Sequence, residues 1–182
     1  ARDGPRRFDL VVGADGANSL VRRTFLGPLP KERLAMAVGW YSPGVAPMVV
    51  RFTPPLAGYL WAFPRPDHVG VGICAPLAEV PTRELLERLR HEVARTMPAL
   101  WDPEAARYAH TIPSPSVDPR DILEAAGDGF ALVGDAAALA DPITGEGIFY
   151  ALRSAALLAE TLLAEGSPAR YPERVLADFG RD

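Results

Sequence analysis

Two aspartates in glycine-rich settings are the residues of this sequence best placed to do chemistry. Asp135 follows the apolar run Phe130-Ala-Leu-Val133 and Gly134, and precedes Ala136-Ala-Ala138 and then Asp141-Pro-Ile-Thr-Gly-Glu-Gly147. Asp15 follows Leu10-Val-Val12 within Gly13-Ala-Asp15-Gly16-Ala-Asn18-Ser19. A carboxylate at the end of a strand can accept hydrogen bonds from the hydroxyl groups of a ligand, and glycines beside it let the backbone approach that ligand closely. In open α/β sheets, ligands bind in the crevice at the carboxyl ends of the strands, where both aspartates would stand. Each also has a plainer reading, as the side chain that caps the following helix.

The elements that must position them can be read from the pattern of apolar residues. Phe130–Val133, after the turn residues Gly127-Asp128-Gly129, reads as a strand buried on both faces in a parallel sheet. Leu10–Val12 reads as a second short buried strand, with a helical turn opening at Leu20. Ile148, Leu152, Ala155, Leu158 or Ala159, and Leu162 recur at helical spacing and predict a core-facing stripe, closed by Gly166 and Pro168. The first amides of that helix, near Gly147, would offer unpaired donors and a partial positive charge to the same ligand.

Between these segments the pattern changes to strands. Leu34–Tyr41 and Met48–Phe52 are expected to be extended, and Tyr59–Phe63 and Val69–Cys74 to form a hairpin across Pro64-Arg-Pro-Asp-His68. Tyr59, Trp61 and Phe63 recur at period two and so share one sheet face, either as core or as the wall of an apolar pocket. Gly70 and Gly72 favour the pocket, because glycine inside a strand often marks close approach by a ligand or another backbone. A helix is predicted over 82–97, capped by Thr82, with Leu85, Leu86, Leu89, Val93 and Met97 as its apolar stripe. Tyr108–Ile112 is the expected last strand of this region, and another helix is expected to start near Tyr171.

Composition bounds the function. The chain has 182 residues, 48% of them hydrophobic, enough for one good core or two small ones. A net charge of −4, with both signs dispersed, excludes the basic stripe that nucleic-acid binding requires. The single cysteine, Cys74, cannot form an internal disulfide and suits a reducing, cytoplasmic setting. No apolar run reaches the roughly 18 residues of a membrane span. The 19 prolines are about twice the usual share, but they lie between apolar periodic segments and indicate compositional bias instead of disorder. His68, His91 and His110 show no metal-ligand spacing, so no metal site is expected.

Gly-Asp-Ala-Ala at 134–137, then Pro142 and Thr144-Gly-Glu-Gly-Ile148, resembles a signature of the geranylgeranyl reductase family. This family shares the para-hydroxybenzoate hydroxylase type of FAD fold. Gly-Ala-Asp-Gly-Ala-Asn-Ser at 13–19 is similar to a second motif of that class, and Tyr59-Leu-Trp61-Ala-Phe63-Pro64 with Gly70 and Gly72 to its substrate motif. The turn of that hairpin is shorter than the motif's. The resemblance implies that Asp135 hydrogen-bonds the ribityl chain of FAD, and that the loop from Pro142 through Gly145 and Gly147 to Ile148 lies beside the flavin ring. It also implies that Gly13, Asp15, Gly16 and Gly134 contribute to the same cofactor site, and that Tyr59, Trp61, Phe63, Gly70 and Gly72 meet an apolar, prenyl-like substrate. Cys74 does not take the role of the cysteine that the family places near the flavin.

The expected class is α/β (α+β). Segments 1–28 and 116–166 are expected to return to a partial FAD-binding domain that flanks an antiparallel-sheet substrate domain at 29–115, with 167–182 as a tail. The Gly-x-Gly-x-x-Gly fingerprint that cradles a dinucleotide pyrophosphate has no match here, which makes the chain the expected C-terminal portion of a longer flavoprotein. That parent is expected to reduce carbon–carbon double bonds, with an unspecified electron donor and with room for peripheral contact with a membrane. A flavin-dependent monooxygenase of the same fold and a non-catalytic lipid-binding module are the alternatives.

Overall fold

Among the described residues, eight strands and four α-helices follow the punctuation of the sequence. The strands are β1 (Val11–Gly13), β2 (Leu34–Ser42), β3 (Val49–Phe52), β4 (Tyr59–Pro64), β5 (Val69–Pro76), β6 (Arg107–Pro113), β7 (Ala126–Gly127) and β8 (Phe130–Leu132). The helices are α1 (Leu20–Phe25), α2 (Thr82–Thr96), α3 (Ile148–Glu165) and α4 (Tyr171–Phe179). The computed structural model describes residues 6–113, 122–141 and 143–179. The chain divides into two units, one of residues 30–112 and one of residues 1–29 with 113–182.

The central unit is a five-stranded sheet in the order β3-β4-β5-β2-β6. Period-two alternation sorts its side chains: Leu60 and Ala62 of β4, Val69, Val71 and Ile73 of β5, and Val38 and Trp40 of β2 all lie in one buried cluster. Helix α2 closes that cluster with Leu85, Leu89 and Val93, three residues at four-residue spacing along one face. Thr82 does not cap it: the cap position is Pro81, which makes no side-chain bond, and the helix begins one residue earlier than a threonine cap would require. The Trp40 indole donates to the carbonyl of Leu100 at 2.8 Å and packs edge-on against Trp101. Cys74 is the buried thiol of β5 and lies opposite Tyr59 of β4.

The other unit is built on the parallel pair β1 and β8, with Val11 opposite Phe130 and Gly13 opposite Leu132, and β7 on the far side of β8. β8 is fully buried, as its continuous apolar run requires. β1 is not: it is an edge strand among the described residues, and Val11 and Val12 are exposed.

Helix α3 corrects a second expectation. Its buried face is Ser154, Leu157, Leu158 and Thr161, whereas Ile148 and Leu152 are 76% and 70% exposed. Serine and threonine can face the core because their hydroxyls return bonds to the helix, Ser154 to the Ala151 carbonyl at 3.1 Å and Thr161 to the Leu157 carbonyl at 2.7 Å.

Gly166, in the left-handed region at φ 66°, ends α3 as predicted. Residues beyond it form more than a tail. Tyr171 and Val175 of α4 belong to this unit's core, and the Tyr171 hydroxyl donates to the Leu132 carbonyl at 2.9 Å. Arg153 of α3 and Asp178 of α4 join the two helices by a pair of bonds of 2.7 and 2.8 Å.

Candidate functional site

Adjacent parallel strands carry the two aspartate motifs out at the same end of the sheet. β1 leads into the loop holding Asp15, and β8 leads into a short 3-10 turn, Gly134–Ala137, that holds Asp135. Gly134 sits at φ 54°, and a side chain there would come within 2.9 Å of the Ala151 side chain, so glycine is what lets α3 cross directly over the turn. Its amide donates to the Ser154 hydroxyl at 3.0 Å. The buried Arg22 of α1 ties the turn from the other side, through a 3.5 Å bond to the Ala136 carbonyl.

The three loop carboxylates differ in what they are bonded to. Asp15 accepts from the amides of Leu20 at 2.7 Å and Val21 at 3.4 Å, and Ser19 caps α1 beside it by accepting from the Arg22 amide at 2.8 Å. Burial opposes ionisation of Asp15, but the bonds from Ser19, Leu20 and Val21 outweigh it and hold the carboxyl below its usual range. Asp141 accepts from the Thr144 amide at 2.6 Å, the Thr144 hydroxyl at 2.8 Å and the Ile143 amide at 3.0 Å. The Thr144 amide is the leading cause of its lowered pKa. These two aspartates organise their own loops.

Asp135 is different. Its half-buried carboxylate accepts no hydrogen bond from any described residue, and burial pushes its pKa up. Its Oδ1 stands 3.0 Å from the point that a side chain on Gly147 would occupy, immediately before the first turn of α3. The capping role that the sequence left open for it is not realised, since α3 starts only at Ile148 and the 3-10 turn has no side-chain cap. Glu146, which sequence reasoning did not single out, takes the capping role by accepting from the Phe149 amide at 2.9 Å. A glutamate just ahead of an apolar helix was the available signal.

The glycines divide by purpose. Gly13 is a packing residue, because a side chain there would meet Leu132 at 2.6 Å and Val21 at 2.9 Å. Gly16 at φ 77° and Gly145 at φ 69° are turn residues. Gly134 and Gly147 flank the Asp135 carboxylate, and Ile148 opens α3 with its side chain exposed. Pro142 lies outside the described residues. No cluster of three metal-ligating side chains occurs among the described residues.

In the central unit, Tyr59, Trp61 and Phe63 share the sheet face opposite the helix-covered core, with ring centroids 5.5 and 6.0 Å apart. Trp61 lies over Gly72, where a side chain would run into the indole. Gly70, opposite Phe63, has only one neighbour near its missing side chain, at 3.7 Å. Tyr108 of β6 joins this face and was missed in the sequence, as was Gly39 of β2. A glycine inside a strand, paired with Gly72, was the signal that could have found both.

No family model matches the chain. Over 173 residues it is 31% identical to geranylgeranyl diphosphate reductase of Synechocystis sp., an alignment that spans 87% of this chain and 39% of the relative. It is 34% identical over 168 residues to digeranylgeranylglycerophospholipid reductase of Methanothrix thermoacetophila, spanning 85% of this chain and 40% of that protein. The crystal structure of a geranylgeranyl bacteriochlorophyll reductase-like protein from Thermoplasma acidophilum matches with a TM-score of 0.78 and 25% identity, over 96% of this chain and 48% of that one. The chain thus spans about two fifths of the length of the curated relatives it matches.

Proposed function

We propose that this chain, homologous along 87% of its length to geranylgeranyl reductases, forms part of a flavin site and the lipid-facing sheet of an FAD-dependent reductase of prenyl double bonds. The observation that carries the reading is the Asp135 carboxylate. An ionised acceptor that is half withdrawn from water and has no donor is a standing cost to the fold. A polyhydroxyl ligand such as the ribityl chain removes that cost by donating to it.

Asp135, Gly134 and Gly147 fit such a ligand: the carboxylate supplies the acceptor, and the missing side chain of Gly147 keeps its Oδ1 accessible. Gly145 holds the loop's turn at φ 69°, and the start of α3 adds a partial positive charge to the same neighbourhood. Bound flavin would supply the hydride; the protein supplies binding, orientation and electrostatics. In the central unit, Tyr59, Trp61 and Phe63 offer aromatic faces to a hydrocarbon, with Gly70 and Gly72 leaving room for it. A prenyl-like substrate fits this face better than a polar ring, which needs hydrogen-bonding partners. No helix among the described residues is long and apolar enough to cross a membrane.

The test uses the full-length protein that contains this chain, reduced without oxygen and then given an isoprenoid lipid. Flavin reoxidation by the alkene, with a product two hydrogens heavier, supports a reductase. Reaction only after oxygen is admitted, with a product one oxygen atom heavier, would sink it in favour of a monooxygenase.

A further inference from the structure

The open face of the central sheet carries a ring that its hairpin motif does not supply. β3 sets Val50 opposite Trp61 and Phe52 opposite Tyr59, so both side chains lie on the aromatic face. Arg51, between them, points to the side covered by α2 and reaches Glu92 of that helix at 3.9 Å. The Phe52 ring meets Tyr59 edge-on, with centroids 6.2 Å apart. Spacings of 5.5 and 6.0 Å lead on to Trp61 and Phe63, so four rings follow one another along β4 and out to the edge strand.

The alternation in β3 runs against the usual one. In an antiparallel sheet with one face covered, the open face is ordinarily polar, and edge strands are ordinarily blunted with charge. β3 does the reverse: its charge is turned toward α2, while Val50 and Phe52 are 52% and 63% exposed. The exposed ring is also firmly mounted. Immediately after it, the Thr53 amide and hydroxyl both donate to the Gly58 carbonyl at 3.2 Å, and Leu56 is buried in the core cluster. An apolar ring held in place and left in water has surface to give to a ligand at little cost in ordering.

We propose that Phe52 is the residue that sets chain-length preference on this face, as the outermost of the four rings along which a prenyl chain lies. This rests on the reading of the face as a substrate surface, and it adds a residue from outside the hairpin motif. Tyr59, Trp61 and Phe63 are half-buried on β4, which has a strand on either side. A short chain covers more apolar area there than at the sheet edge, so it settles there first. At the Phe63 end, β4 leads into the turn that holds Arg65 and Asp67, both exposed. Hydrocarbon in excess of three rings therefore extends the other way, and Phe52 is the ring it meets. The gain from Phe52 is confined to long chains.

The test measures how the full-length protein that contains this chain binds geraniol, farnesol and geranylgeraniol, alcohols of increasing prenyl length, by quenching of tryptophan fluorescence. Wild type should bind them more tightly with each added repeat. Phe52→Ala should weaken geranylgeraniol about ten-fold, the order of one lost aromatic contact, and leave geraniol within about two-fold. Phe52→Leu, which keeps an apolar side chain, should fall between the two and serves if the alanine variant fails to fold. An equal loss for all three alcohols, or no loss for geranylgeraniol, overturns the role of Phe52 alone. So does a loss of self-association in Phe52→Ala, seen by light scattering with binding unchanged, because β3 would then be an edge between copies. A wild-type protein that binds none of the three alcohols overturns the reading of the face, and the proposal with it.

Discussion

Replacing Asp135 with asparagine should make the isolated chain more stable at neutral pH. The carboxylate is half-buried and without a donor, and burial pushes its pKa up, so in its ionised form the folded state bears a desolvation penalty that the unfolded state does not. A fully buried unsatisfied group costs about 1–3 kcal/mol, and charged groups cost more. Partial exposure screens this one, so an order-of-magnitude figure of about 1 kcal/mol is appropriate. For a chain of 182 residues, that corresponds to a rise in Tm of about 2–4 °C.

The pH dependence fixes the cause. Burial raises the folded-state pKa above the ordinary value of 3.8, so the folded protein takes up this proton more readily than the unfolded one. The penalty is complete above the raised pKa and disappears as pH falls through it toward 3.8. The advantage of Asp135→Asn should therefore be larger at pH 7 and shrink toward zero near pH 4. Melting both proteins by circular dichroism at the two pH values tests this, because other carboxylates titrate equally in each. A lower Tm for the variant at pH 7, or the same gain at both pH values, would refute the argument. In the full-length protein the same change should weaken flavin by roughly ten- to a hundred-fold, the value of a charge-assisted hydrogen bond.

Trp40→Ala should destabilise by about 3–5 kcal/mol, because Trp40 is fully buried and its indole is bonded to Leu100. Trp61→Ala, on the open face, should lose much less; denaturant melts that place the two losses within 1 kcal/mol or so of each other would return Trp61 to the core. Gly39→Ala should destabilise by at least the ~1–3 kcal/mol of an overpacked site, since the new methyl would strike both the Val71 carbonyl and the Tyr108 ring. A Gly39→Ala chain that melts like wild type would show that β2 can shift to admit it.

What the sequence made legible follows from how one-sided each element is. Helix α2 is apolar on a single stripe, so Leu85, Leu89 and Val93 identify its buried face without ambiguity. The hairpin β4–β5 is read from the alternation Tyr59, Trp61, Phe63, which the register places opposite Cys74, Gly72 and Gly70. Helix α3 is misread because its apolar residues go nearly all the way round, while its buried face carries Ser154 and Thr161 with hydroxyls satisfied locally. Polar letters there conceal a core position. The aspartates are found by motif, but which of them is left without a donor depends on neighbours that fold around them. Thr144 satisfies Asp141, and Leu20 satisfies Asp15. Nothing in the spacing of Asp135 announces that its carboxylate is left unbonded.

The buried thiol of β5 gives the central unit a clock of its own. Cys74 is the single cysteine of the chain and is 7% exposed. Burial raises its pKa against the opposing bonds from Tyr59, so the closed state holds almost no thiolate to react. Alkylation therefore has to wait for a local opening that uncovers the thiol. When reclosing outpaces the reagent, the labelling rate measures the population of that opening, and when the reagent is faster it measures the opening rate itself. One modification, read by mass, then follows the breathing of a five-stranded sheet, while the unit that holds Asp135 contributes no sulfhydryl to the signal.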